Sequence, residues 1–500
     1  MEAINLLLVS CTFRREDEPS EPYGVSCLVS AFKRGNGCND RISTLIEDLS
    51  NYENESGYDV DKVAGRLANS ILDSGCNIVA FSNYAWSDKL FKKVLSLLSG
   101  TKGLLKIMGG PMVVGNKSDL ENEYPEIDYF VFSYGEKVFA NLRNYLDKAE
   151  KFIKDLPDFT DLESPYLNGQ IEIEKGGMTV RMELRRGCNF NCSYCRYKDE
   201  DRKVYLVGNV ERWKAELRLF KEKKVAKINV LDAVFDASGE NLGMQFLEYC
   251  KEIGLKADIS LQIRPEILDG RMIDLAATMP NVIFEIGIQS LDKDVMKCIN
   301  RGNRKKVIDT LSKVMTMGIR TEVTIIYGLP KQTFSSFKKD LELLSLMGVK
   351  KISAFKLQIY RGTQLYNEYM KYKLTVKENN YGIMQVYDNE NHDFNKMDKY
   401  YESYKLKHGD LGLYHKTKHF KQRQEERKIE DGLLNAVLSK VNFSSGKAFK
   451  LLVGKDYLMK LGYKIKGRHL VLVIDGWRLV TVFFCGVITE LVDLKNVVLI

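Results

Sequence analysis

The sequence predicts an α/β protein. An N-terminal doubly wound, Rossmann-like parallel sheet leads into a partial (β/α)6 TIM-like barrel, and a small α+β C-terminal extension follows. Three observations carry this prediction. Apolar strand-forming runs alternate with amphipathic segments from Ile4 to about residue 155, and again from Met178 to about residue 375. Small and special residues collect just after those runs, where open parallel sheets and barrels carry their functional loops. Beyond residue 376 the alternation stops. At 500 residues the chain is too long for one ordinary core, and with 44% hydrophobic and 28% charged residues it has the composition of a globular protein. The expected domains are 1–155 and 178–375, joined by a linker over 156–177 and followed by a capping region over 376–500.

In the first domain, Ile4 to Val9 reads as a buried strand and Arg41 to Leu49 as a second. Val60 to Ser74 follows as a helix with Val63, Leu67, Ile71 and Leu72 on one face. Asn77 to Ser82 is a third strand, Lys89 to Leu98 a helix, and Leu104 to Met108 and Tyr129 to Phe132 complete about five parallel strands. The strand ends carry Ser10-Cys11-Thr12, Ser82-Asn83-Tyr84-Ala85-Trp86, Gly109-Gly110-Pro111 and Gly135-Glu136. No G-x-G-x-x-G follows the first strand, so a dinucleotide fold has no support.

The chemistry centres on Arg185-Arg186-Gly187-Cys188-Asn189-Phe190-Asn191-Cys192-Ser193-Tyr194-Cys195, a C-x3-C-x2-C loop after the strand-like run Met178 to Leu184. Three thiolates at this spacing can wrap one inorganic centre. A cubane normally takes four cysteines, so three leave one iron open to an outside ligand. A structural zinc site would need a fourth ligand, and the nearest histidine is His392.

The middle domain continues with a helix over Val210 to Lys223 and a strand over Lys227 to Leu231 that ends in Asp232-Ala233-Val234-Phe235-Asp236. Leu242 to Ile253 is helical, and strands over Ala257 to Ile263, Asn281 to Ile288, Thr321 to Ile326 and Lys351 to Ile359 complete six βα units. The cysteine loop and the strand ends resemble the radical SAM (S-adenosylmethionine) enzymes over this whole segment. The resemblance implies a [4Fe-4S] cluster on Cys188, Cys192 and Cys195, whose open iron chelates SAM and cleaves it to a 5′-deoxyadenosyl radical. It also implies SAM contacts from Tyr194, Gln262, Gln289, Arg301 and Gly328. The family's usual Gly-Gly-Glu-like element is absent at Asp232 to Asp236, which leaves the roles of Asp232 and Asp236 open.

A doubly wound domain directly ahead of that motif resembles the cobalamin (B12)-dependent radical SAM subclass. The resemblance implies cobalamin contacts from Thr12, Tyr84, Trp86, Gly109, Gly110, Gly135 and Glu136. The D-x-H-x-x-G motif is absent and all five histidines lie at or beyond position 392, so the cobalamin is expected base-off without a histidine ligand from this domain. The methylthiotransferases are a rival resemblance through Cys11, Cys38 and Cys76. Cys76, however, opens the third strand at the amino edge of the sheet, away from Cys11.

The implied activity is a methyltransferase moving a methyl group from methylcobalamin to an unactivated carbon radical. A radical rearrangement or cyclisation without methyl transfer is the second reading, and a non-catalytic corrinoid- or zinc-binding RNA-interaction protein the third. The expected partners are a small-molecule or peptide substrate and an electron donor such as flavodoxin or ferredoxin. The net charge of +8 is modest, and the basic run Lys416 to Lys428 reads as a solvated face, which disfavours nucleic acid. No apolar stretch is long enough for a membrane span, no basic region precedes Ile4, and a cytoplasmic location is expected. In the last segment, Ile429 to Val441 reads as a short helix and His469 to Val492 as two or three antiparallel strands; His415 and His419 are four residues apart on a possible helix.

Overall fold

The structure, a computed structural model, describes residues 3–408 except 16, 53–57, 149, 175, 198–202, 237–240, 390 and 391, and beyond them 415–416, 449–453, 469–475, 478–485 and 497–499. The described residues fall into two compact units, Met1–His392 and Asp393–Ile500. The first sheet has six strands: β1 (Asn5–Thr12), β2 (Arg41–Asp48), β3 (Ile78–Ser82), β4 (Leu105–Gly109), β5 (Tyr129–Val131) and a short β6 (Phe152–Ile153), in spatial order β2-β1-β3-β4-β5-β6. Every pairing is parallel. Its sixth strand exceeds the five that the apolar runs predict, because two residues carry no periodicity.

Alternate residues of β1 feed two separate cores. Leu6 and Leu8 pack with Val25, Val29 and Phe32 of α1 (Tyr23–Gly35). Leu7 and Val9 pack with Val63, Leu67 and Ile71 of α2 (Val60–Asp73) and Phe91 and Val94 of α3 (Asp88–Leu97). Burial on both faces is why the strand reads as a continuous apolar run, and each such side chain contributes about 1.5–3 kcal/mol. The strand order reverses between β1 and β3, so the carboxyl ends of those two strands flank a crevice of the kind that binds ligands in open α/β sheets.

The second sheet holds β7 (Thr179–Met182), β10 (Lys227–Val230), β11 (Asp258–Ile263), β12 (Val282–Gln289), β13 (Arg320–Tyr327) and β14 (Lys351–Lys356). Their order, β14-β13-β12-β11-β10-β7, is sequential and parallel throughout, the partial barrel that the six βα units imply. Between β7 and β10, an antiparallel arm of β8 (Arg185–Gly187) and β9 (Val204–Leu206) brackets the cysteine loop. The outer edge of β7 is covered by the loop that follows β1. Thr179 donates its N–H to the Asp17 carbonyl at 2.6 Å, and Arg181 grips both carboxylate oxygens of Glu18 at 2.8 and 3.0 Å. The expected linker is part of this packing: Tyr166 is buried against Tyr23 and Phe220.

In the second unit a helix spans Phe394–His408, and strands at His469–Asp475 and Arg478–Cys485 pair antiparallel, as the alternation there predicts. His415 lies on the two-residue strand His415–Lys416 and not on a helix. His419, the rest of the basic run after Lys416, and the helix expected over Ile429 to Val441 lie outside the described residues. Among the described residues no helix is long and apolar enough to cross a membrane.

Candidate active site

The β8–β9 arm delivers the cysteine loop to the carboxyl end of the barrel. Gly187 sits at φ +88°, and a Cβ there would lie 2.2 Å from the Lys203 carbonyl oxygen, so only glycine lets the two strands cross immediately before Cys188. The loop is tied down from the far side of the barrel. Ser193 donates its N–H to the Ile299 carbonyl at 3.2 Å and accepts from the Leu365 N–H at 2.9 Å, while Asn300 Nδ2 donates to the Asn191 carbonyl at 2.9 Å. These bonds bring Arg301 to the cysteines. Cys188 and Cys192 are buried and Cys195 is half-buried.

Two arginines face the thiols. Arg264, at the carboxyl end of β11, lays its guanidinium 3.7 Å from the centroid of the Phe190 ring and donates from Nη1 to Cys192 Sγ at 3.3 Å. Glu266 stands between the cations, 3.4 Å from Arg264 Nε and 3.3 Å from Arg301 Nε. Arg301 also donates from Nη2 to the Gly287 carbonyl at 2.5 Å. Burial pushes the Cys188 thiol up; the Phe190 N–H pulls it down, the Cys192 thiol adds to the rise, and Arg264 and Arg301 oppose it. Burial likewise pushes the Tyr194 hydroxyl up, with Cys192 adding to it and Arg301 opposing it.

Among the described residues no three His, Cys, Asp or Glu side chains are gathered closely enough to hold a metal ion. The fit to a cluster therefore rests on the donor set: three thiols on one anchored loop, with two buried cations to offset the charge of thiolate ligands. On that ground the residues fit. Sequence reasoning missed Arg264 and Glu266, although Arg264-Pro265-Glu266 stands where reactive residues of barrels sit.

The remaining residues named for SAM are spread along the same rim. Gln289 has φ +70°, at a register shift between β12 and β13, a kind of irregularity that gathers next to active sites. Gly328, at φ +87°, turns the chain after β13, and its N–H donates to Gln332 Oε1 at 2.8 Å. Gln262 lies lower in the barrel, where its side-chain amide donates to Glu285 on the neighbouring strand.

Asp232 follows β10 and is 1% exposed; its Oδ1 accepts the N–H groups of Leu184 and Arg185 at 2.8 and 3.0 Å. Burial pushes this carboxyl up to about 7, against the pull of those two N–H groups and of the Arg185 charge. A folded value above the unfolded one means that its stabilising contribution is complete below about pH 4 and is lost as pH rises through about 7. Urea titrations at pH 5 and pH 8 are therefore expected to show a larger loss of stability in the parent than in Asp232→Asn. Equal losses would refute the assignment.

The residues named for cobalamin separate into two groups. Thr12 lines a small surface pocket with Arg14, Glu18, Tyr23 and Arg181. Tyr84 and Trp86 stack with ring centroids 4.6 Å apart, and Trp86 Nε1 donates to the Cys11 carbonyl at 3.0 Å, across the crevice between β1 and β3. The others serve internal contacts. Gly109 accepts the Asn83 N–H at 2.8 Å, and a Cβ on Gly110, at φ +97°, would meet the Asn83 carbonyl oxygen at 2.6 Å. Gly135 packs over Leu28. Glu136, 5% exposed, pairs with Arg186 at 2.5 Å; Arg186 also holds Glu183 at 2.9 Å, and its guanidinium lies over the Tyr134 ring.

Two contacts thus fasten the cysteine loop to the first sheet, one at each end. Arg186, two residues before Cys188, reaches Glu136, and Arg196, next after Cys195, donates to the Pro111 carbonyl at 3.2 Å.

Residues 182–344 match the family model of the Radical SAM superfamily, so the chain carries a radical SAM domain. Its relatives narrow the comparison. The chain is 24% identical over 313 residues to the cobalamin-dependent radical SAM methyltransferase TokK of Streptomyces tokunonensis, a match covering 55% of this chain and 45% of TokK. It is also 24% identical over 343 residues to the ribosomal protein uS12 methylthiotransferase RimO of Clostridioides difficile, covering 64% of this chain and 73% of RimO. The fold is similar to that of TsrM from Kitasatospora setae, a radical S-adenosylmethionine methyltransferase solved with cobalamin and a [4Fe-4S] cluster bound; the TM-score is 0.52 at 12% identity, over 72% of this chain and 77% of that one. The match spans less than half of TokK's length.

Proposed function

We propose that this chain is a cobalamin-dependent radical SAM enzyme, a methyltransferase acting on an unactivated carbon of a small-molecule or peptide substrate. The observation that carries the reading is the fastening of the cysteine loop, through Arg186 and Arg196, to the carboxyl-edge loops of the first sheet. An independent cofactor domain would need no such contact. The carboxyl edge leaves Thr12, Tyr84 and Trp86 at the strand-order reversal, where a planar macrocycle would find apolar ring surface, so these residues fit a corrin. Gly110 and Glu136 are occupied by internal contacts and shape its surroundings instead. When bound, the cluster supplies the electron that cleaves SAM and the cobalamin supplies a methyl carrier.

The chain's own residues position and shield. Cys188, Cys192 and Cys195 hold the cluster. Arg301 offers a guanidinium to the SAM carboxylate from a place fixed by Glu266 and the Gly287 carbonyl. Gln289 and Tyr194 stand by for the ribose and adenine, and the Gly328 turn brings backbone close to the base. An external electron donor such as flavodoxin or ferredoxin completes the partners, and the cytoplasm is the proposed location.

The methylthiotransferase reading is opposed by the first sheet. Cys11 lies at the carboxyl end of β1, whereas Cys76 precedes β3, whose Ile78 pairs beside Leu6. At about 3.3 Å per residue those thiols stand roughly 20 Å apart, too far to share one centre. Anaerobic turnover decides the proposal. Methylation is expected to consume two SAM per product and to yield S-adenosylhomocysteine and 5′-deoxyadenosine in equal amounts. Deoxyadenosine without S-adenosylhomocysteine would turn the reading to a radical rearrangement.

A further inference from the structure

We propose that Arg264 is a positioning residue for the cysteine loop and that it sets the reduction potential of the cluster held there; this rests on the radical SAM reading of Cys188, Cys192 and Cys195. The side chain is fixed on three sides. It is 8% exposed, its guanidinium carbon lies 3.7 Å from the Phe190 ring centroid, Nη1 donates to Cys192 Sγ at 3.3 Å, and Nε faces Glu266 at 3.4 Å. Phe190 lies between the first two cysteines, so the ring contact orients the loop and the guanidinium together.

The charge balance gives this placement an electronic consequence. Glu266 is shared by Arg264 and Arg301, so two cations meet one carboxylate and one positive charge is left for the sulfur side. Reduction adds an electron to the cluster, which a nearby positive charge stabilises, and burial strengthens the attraction. Hydrogen bonds to ligand sulfurs and local charge are among the factors that set iron–sulfur potentials. Arg264 supplies both to Cys192. Arg301 is held by the Gly287 carbonyl and Glu266 and also interacts with Cys192, so both arginines bear on that sulfur, and Arg264 is the one seated on the Phe190 ring.

The test is an anaerobic redox titration of the reconstituted full chain, followed by electron paramagnetic resonance, with iron counted in every sample. In Arg264→Gln the midpoint is expected to move negative until the reduced-to-oxidised ratio at fixed poise falls about tenfold, which is about 59 mV for a one-electron couple. Arg264→Lys keeps the charge and is expected to recover most of that shift. Phe190→Leu removes the ring beneath the guanidinium and is expected to shift the midpoint in the same direction by less. A parental midpoint in iron-loaded Arg264→Gln overturns the proposal. If Arg264→Gln holds no iron, Phe190→Leu decides: a negative shift supports the proposal and a parental midpoint overturns it. A parent that itself binds no iron sinks the cluster reading, and the inference falls with it.

Discussion

Replacing Cys192 by alanine is expected to reduce reconstituted iron from about four per chain to background and to abolish deoxyadenosine formation. The loss should exceed the roughly 10–100-fold that removing an outer partner of a metal ligand costs, because a ligand itself is gone. Cys192 is the central thiol of the loop, is buried, and is the one addressed by Arg264. Cys298 is the informative control. It is a half-buried cysteine whose backbone carbonyl accepts from Ser193 Oγ, so it stands beside the loop without belonging to the motif. Cys298→Ala is expected to keep its iron. Loss of iron there would mean a fourth protein ligand and no open iron for SAM, which would overturn the proposed chemistry.

The second large effect is on stability. Replacing Arg186 by methionine is expected to destabilise the unit Met1–His392 by about 3–5 kcal/mol, the usual consequence of leaving buried charge without its partner. Two carboxylates lose their cation together, since Glu136 and Glu183 are 5% and 8% exposed and both rest on Arg186. Urea unfolding followed by tryptophan fluorescence reads this directly: Trp86 reports from the first sheet and Trp213 from the barrel side. The double variant Glu136→Gln with Arg186→Met should recover part of the loss, because fewer charges remain unpaired. No recovery would mean that Arg186 stabilises through packing alone.

Strands buried on both faces were legible in the sequence because double burial writes an uninterrupted apolar run, as in Leu6 to Val9. The three thiols were legible because one loop holds them all. What escaped was structure without periodicity or structure assembled across distance. The arm of β8 and β9 is built from three-residue strands, one of them Arg-Arg-Gly, which no hydrophobic pattern marks. Helix α1 buries Ser26 and Ser30 alongside Val25, Val29 and Phe32, so polar residues break up the apolar stripe that would have marked it. Glu136 read as a ligand contact because its distinguishing partner, Arg186, lies fifty residues away and is brought to it only by the meeting of two sheets. Arg264 was passed over for the same reason: nothing in its local sequence announces Cys192.

The cover over β7 has a bearing on biosynthesis. Asp17 and Glu18 leave the ribosome about 160 residues ahead of Thr179 and Arg181, which they grip. Domains fold broadly in the order in which they are made. On that order the first sheet, which carries the clasp, is expected to form before the barrel's first strand. An uncovered strand edge is a template for pairing between chains, and here the residues that cover it are made before the strand itself.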